Sequence, residues 1–250
     1  MEDRKLINEM TIDCILLAGR IMMQSGAETY RVEDTMLRMA RSQNMLDAQS
    51  YVTPTGIIFS LGNTQPTRIT SISTRVTDLH RISLVNSVSR KLTSKIITLE
   101  QAYDELKKIE KTNFFLPMWV QILAASIGSA SLMIMFKGVW ADIPAAMVAG
   151  GTAHFIVSFV HEKTKVKFFS EFIAALAVAL IATLAVQYNY GQDIDRIIIG
   201  SIMPLVPGLV ITNAVRDLMA GHFIAGVAKG TEALLTAFAI GSGVALALSF

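Results

Sequence analysis

Apolar residues at Ile7, Met10, Cys14, Leu17 and Ile21 return every three or four positions, which predicts a helix over 6–24 with one buried face. Gly26 stands where the C-cap of that helix would fall, and Ser25 precedes Glu28 by the spacing of a capping box. A second helix is expected over 27–43, with Val32, Met36 and Met39 inward. The pattern then switches to period two. SYVTPTGIIFSL (50–61) and PTRITSIST (66–74), parted by the turn-like Gly62-Asn63, predict a hairpin; Pro54 and Gly56 make its first strand irregular, as at an edge or a bulge. Helices follow over 78–92 (Leu79, Ile82, Val85, Leu92) and 99–111, the latter opened by Thr98-x-x-Gln101. The order α-α-β-β-α-α makes residues 1–113 a small α+β domain.

From 114 to 250 the polar half of each period disappears. Five apolar spans are expected, about 116–136, 142–160, 168–188, 194–213 and 231–249, close to the roughly 20 residues a helix needs to cross a bilayer. The fold class is therefore an α-helical integral membrane protein, with the α+β domain preceding a five-helix transmembrane domain. Lys107, Lys108, Lys111, Lys163, Lys165, Lys167, Arg216 and Lys229 flank one side of the spans, against Lys137 and Arg196 on the other. That asymmetry puts the N-terminal domain in the cytoplasm and the C-terminus outside. Trp119 and Trp140 stand near span ends, as interfacial anchors do. Ala124/Gly128, Ala146/Gly150 and Gly226/Gly230 have the spacing that permits close helix approach.

The fourth span breaks the pattern. Its uninterrupted apolar core, Ile197 to Thr212, is 16 residues, about 24 Å as a straight helix against roughly 30 Å of hydrocarbon. Pro204 and Pro207 remove two backbone donors and Gly208 loosens the same turn. Freed carbonyls must face protein or a wet cavity, and such interrupted segments often mark a transporter's binding site. A Pro-kinked helix with interfacial polar residues would account for Arg216, but less well for Asn213 and Asp217 beside it. His154, inside the second span, either donates to a neighbouring helix or takes part in function.

Composition sharpens this in three ways. With 52% hydrophobic residues and a mean hydropathy of +0.48, the chain is too apolar for an ordinary soluble domain. A net charge of +2 without basic, aromatic-laced stretches argues against nucleic acid as a partner. The single cysteine, Cys14, rules out an internal disulfide, and on an apolar helix face it reads as packing. The opening MEDRKLINEM has no apolar signal-peptide region, so the N-terminus is expected to stay in the cytoplasm.

Catalytic sets do not assemble. His80 has Asp78 nearby but no nucleophile beside it, and His161-Glu162 lacks the second histidine of a zinc motif. The stretch from Gly226 through Lys229 to Thr231 lacks the spacing of a phosphate loop, and no Gly-x-Ser-x-Gly elbow occurs. No enzyme, metal or cofactor is expected. GAETYRVEDT (26–35) is the most distinctive polar stretch: either a solvated helix junction whose Glu28, Arg31, Glu33 and Asp34 pair along the helix, or a contact surface for the membrane part or a partner.

SGAETYRVEDT, TPTGIIFSL and PLVPGLVITNAVRDLMAGHFIAGVAKG, in that order, resemble the threonine/serine exporter family over nearly the whole chain. The resemblance implies a bacterial inner-membrane transporter of small polar metabolites with a cytoplasmic N-terminal domain. Long members are fused proteins of about ten spans. Others are split, and this chain looks like the larger subunit, whose partner is a small all-membrane protein. One split pair is associated with succinate, so threonine, serine and a dicarboxylate all stand as substrates. The match points to Pro204, Pro207, Gly208, Asn213, Asp217, Gly221 and His222, and in the first domain to Gly26, Glu28, Arg31 and Glu33 as contact residues. Asn213 would suit a carboxylate or zwitterion. Asp217 would bind an ammonium group or a proton, with Arg216 or Lys229 pairing with it or attracting a carboxylate. If protons drive export, Asp217 or His154 would carry them. The alternative is a membrane-anchored sensor or scaffold whose first domain is its output module.

Overall fold

The computed structural model describes residues 2–61, 66–113, 115–164, 166 and 168–250, with side chains from residue 8 onward except at 161 and 164. The Gly62-Asn63 turn, Lys165 and Lys167 lie outside them. The chain divides into two compact units, Met1–Asn113 with Leu209–Gly230, and Phe114–Gly208 with Thr231–Phe250.

The first unit begins with α1 (Glu2–Gln24) and α2 (Thr29–Ser42). An antiparallel sheet of β1 (Ala48–Thr53), β2 (Gly56–Leu61) and β3 (Arg68–Ser71) follows, in that spatial order. The one irregular strand expected over 50–61 is therefore two strands. Thr53 pairs with Gly56 across Pro54-Thr55, so the residues that looked like a bulge are a two-residue hairpin turn. The order is α-α-β-β-β-α-α once α3 (Leu79–Thr93) and α4 (Leu99–Lys111) are added.

Period two holds along β2, where Ile57, Phe59 and Leu61 are buried while Ile58 is exposed. They meet Ile12, Ile15, Ile21, Met22, Met36, Met39 and Leu106 from the helices in one core, each side chain stabilising by roughly 1.5–3 kcal/mol when fully buried. Cys14 lies in the same core, and burial pushes its thiol up to about 12. Gly26 ends α1 at φ +82°, with Ala27 N–H donating to Met22 O and Gly26 N–H to Met23 O, a Schellman motif. The Thr98–Gln101 capping box forms, each residue's backbone N–H bonded to the other's side chain. The box expected at Ser25 and Glu28 does not: Glu28 itself is the N-cap of α2, and its side chain makes no cap bond.

The second unit holds α5 (Met118–Met135), α6 (Ile143–Thr164) after a 3-10 turn at Trp140–Asp142, α7 (Phe169–Gln187) and α8 (Ile194–Ile202). Its core consists largely of alanine, with Ala145, Ala149, Ala153, Ala174, Ala179 and Ala182 buried. Small residues set helix proximity here. A Cβ placed on Gly150 would lie 2.0 Å from Ser129 Oγ, and one on Gly200 would lie 2.7 Å from Met133 Cα. Gly128, also expected at a close approach, faces open space.

Four helices among the described residues are long and apolar enough to cross a membrane, and five if one broken run is counted. The broken run is the expected fourth span. After α8 the chain makes a 3-10 turn at Met203–Leu205, Val206 is extended, and α9 (Gly208–Met219) starts anew. Pro204 and Pro207 sit on either side of that interruption. The last helix, α10 (Phe223–Leu248), begins eight residues ahead of the expected 231. Trp119 and Trp140 are both exposed.

Candidate functional site

The turn between α1 and α2 is where polar chemistry concentrates. Having ended α1 in a left-handed conformation, Gly26 turns its own carbonyl and that of Ala27 away from the helix. Asn213 Nδ2 donates to Gly26 O at 2.9 Å, and Lys229 Nζ donates to Ala27 O at 3.0 Å. Arg216 donates to Glu28 Oε1 at 2.6 Å, while Arg31 reaches the other oxygen at 3.2 Å.

Thr29 opens α2 and is fully buried. Its N–H donates to Asp217 Oδ1 and its hydroxyl to Oδ2, both at 2.9 Å. Lys229 donates to the same Oδ2 at 2.7 Å and to Thr29 Oγ1 at 3.3 Å. Asp217 is thus the cap that Glu28 fails to provide. It satisfies an orphan N–H of α2 and places a carboxylate at the positive end of the helix dipole. The three protons of the Lys229 ammonium all have acceptors: Asp217, Thr29 and Ala27.

Farther along α2, Glu33 Oε1 accepts from the Val52 N–H of edge strand β1 at 2.8 Å, and its other oxygen lies 3.7 Å from His222 Nε2. Gly221, left-handed at φ +86°, ends α9 with the same motif that Gly26 uses to end α1: His222 N–H donates to Asp217 O and Gly221 N–H to Leu218 O. The partners keep a nearly constant separation along the chain, 187 residues for Gly26–Asn213 and 188 for both Glu28–Arg216 and Thr29–Asp217. The two polar stretches are laid side by side in register.

Electrostatics follow from these contacts. Burial pushes the Glu28 carboxyl up, but its own backbone N–H together with Arg216 and Arg31 outweigh this and hold it below the ordinary 4.5. Glu33 goes the other way: burial raises it, and neither the Val52 N–H nor His222 compensates.

Of the residues singled out in the sequence, Gly26, Glu28, Arg31, Glu33, Asn213, Arg216, Asp217 and His222 meet in this one unit. Pro204 and Pro207 belong to the interruption before α9, and Gly208 is the first residue of α9. His154 lies elsewhere, in the second unit, with its Nε2 3.2 Å from Gln121 Oε1. Thr29 was overlooked, and its role is invisible in sequence because a threonine at a helix start normally caps its own helix. Lys229, expected at the flank of the fifth span and as a candidate partner of Asp217, lies inside α10 and pairs with Asp217. Asp142 in the second unit is also fully buried, accepts from Gln192 N–H at 2.5 Å, and has no partner for Oδ2 among the described residues.

The family model of the threonine/serine exporter, ThrE, matches residues 13–250. A "Probable threonine/serine exporter" from Mycobacterium tuberculosis is 22% identical over 241 residues, covering 95% of this chain and 45% of its own length. "Probable succinate transporter subunit YjjP" of Klebsiella aerogenes is 22% identical over 250 residues, covering 99% and 95%. "Pheromone-regulated membrane protein 10" of Debaryomyces hansenii is 24% identical over 251 residues, 94% of this chain and 24% of its own. The chain therefore spans under half of the mycobacterial relative and nearly all of the Klebsiella one. No solved structure matches.

Proposed function

The chain belongs to the threonine/serine exporter family, and from that membership we propose that it is a subunit of a secondary-active exporter of small polar metabolites. Its place is the bacterial inner membrane, with the N-terminus in the cytoplasm and the C-terminus outside. The substrate is threonine and serine, or a dicarboxylate such as succinate. A second, small all-membrane subunit completes the machine. The support for a second subunit is that a relative matched over 99% of this chain is named as a transporter subunit.

The observation that carries the reading is a broken apolar helical run whose second half, α9, carries a buried Asp217 paired with Lys229 of α10. An anchor needs neither. Asp217 and Lys229 have their bonding capacity taken up by each other, Thr29 and Ala27, so a proton or substrate group reaching them must displace one of those partners. The network acts as the latch of an inner gate, and Pro204, Pro207 and Gly208, to which the family resemblance also points, are candidates for the substrate path. Coupling runs through Asp217 or His154.

The test is export from cells making this chain with and without a small all-membrane partner, each loaded with labelled threonine and then succinate. Export that needs both proteins is the expected result. No export of either compound under any pairing would overturn the reading in favour of a sensor or scaffold.

A further inference from the structure

Beside the latch, the first unit contains an open cavity of about 540 Å³. Arg31, Arg90 and Arg216 line it, with Glu28 as the single carboxylate. Glu28 is already shared between Arg31 and Arg216, and Arg90 has no ion-pair or hydrogen-bond partner for its guanidinium among the described residues. An adjoining hollow shares Arg31, Asn86 and Arg90 and adds Asp34 paired with Arg38, so four guanidiniums stand against two carboxylates, a surplus of two positive charges. Asn86 and Asn213 add neutral polar groups to the wall, and Leu79, Ile82 and Leu209 give it an apolar side. Its volume falls within the roughly 300–1,000 Å³ usual for small-molecule sites, and its mouth is open to solvent.

We infer that this cavity binds a small dicarboxylate dianion. Guanidinium forks match carboxylate oxygens two by two. A dianion neutralises the two surplus charges. A zwitterionic amino acid would bring an ammonium group into the same positive field, where Glu28 is already held by two arginines and Asp34 by Arg38. A short methylene bridge between the two carboxylates suits the apolar side of the wall. As the substrate's own site, the cavity rests on the exporter reading and narrows the substrate to the dicarboxylate; as a binding site it stands without it.

The experiment is calorimetric titration of the purified full chain in detergent with succinate, inorganic phosphate and threonine at matched ionic strength. Succinate is expected to bind saturably, with phosphate weaker and threonine weakest. Arg90→Gln should weaken succinate about tenfold or more, as loss of a charge-assisted fork does, with the melting temperature unchanged because no partner is orphaned. Asn86→Asp, which sets a second carboxylate in the wall, should weaken it independently. Threonine binding as tightly as succinate, phosphate matching succinate, or no response to both substitutions would each overturn the assignment. Binding without export in cells would sink the exporter reading and leave the site; succinate export without binding would do the reverse.

Discussion

Lys229 Nζ lies 2.7 Å from Asp217 Oδ2, and the pair is almost entirely closed to solvent, at 5% and 0% side-chain exposure. A pair so buried tolerates the loss of both charges better than the loss of one. Lys229→Met strands a carboxylate and should cost about 3–5 kcal/mol. Adding Asp217→Leu should recover part of that loss. Thermal unfolding of both variants in detergent measures the coupling; a double variant as unstable as the sum of its singles would mean that the charges do not interact.

Thr29 serves both members of the pair, donating to Asp217 and accepting from Lys229. Thr29→Val keeps the shape and removes the hydroxyl, so a loss of about 1.5–3 kcal/mol is expected for a bond to a charged group. Thr29→Ser should restore most of it in the same melt.

Gly26 sits at φ +82°, and the nearest atom a Cβ would meet is Thr77 Cα at 3.6 Å. The space is there; the backbone conformation is what excludes a side chain. Gly26→Ala should therefore cost about 1–2 kcal/mol. Gly26→Asn should cost less, because asparagine tolerates the left-handed region. Equal losses in chemical denaturation would point to crowding instead.

Gly200 differs in kind. A Cβ there meets Met133 Cα at 2.7 Å and its backbone nitrogen at 2.8 Å, which no rotamer change relieves. Gly200→Ala should destabilise by about 1–3 kcal/mol through the forced separation of α5 and α8. The readout is the yield of folded protein on size-exclusion chromatography.

Acid should weaken the turn through Glu28. Its folded carboxyl titrates below the ordinary 4.5, so its stabilisation is present above that value and is lost as pH falls through the folded value. Glu33, raised, contributes with the opposite sign: its share is present below the ordinary value and is lost as pH rises. Melting temperatures recorded through the acid range should fall less steeply for Glu28→Gln than for the parent chain.

The helices were legible because periodicity and caps are local: α4 begins at the Thr98–Gln101 box that its sequence spells. The sheet was partly legible. Period two located β2, but Pro54 and Gly56 fit a bulge and a tight turn equally well, and only the partner register decides between them. The interruption of the fourth span followed from two prolines. The site's residues were visible as two unusual polar stretches, and Lys229 as a partner for Asp217, but the residue-by-residue pairing of one stretch with the other was not. Nothing near Glu28 in sequence announces that the cap of α2 comes from α9, and Ser25 offered a local cap that the structure declines.

That distant cap sets an order of assembly. The ribosome reaches Asp217 188 residues after Thr29, which at about 5–20 residues per second is on the order of 10–40 s later. Through that interval the first turn of α2 carries an orphan N–H, and the carbonyls of Gly26 and Ala27 lack their Asn213 and Lys229 donors. The turn that opens α2 is synthesised long before Asp217 and Lys229, and it is finished only when both have been added.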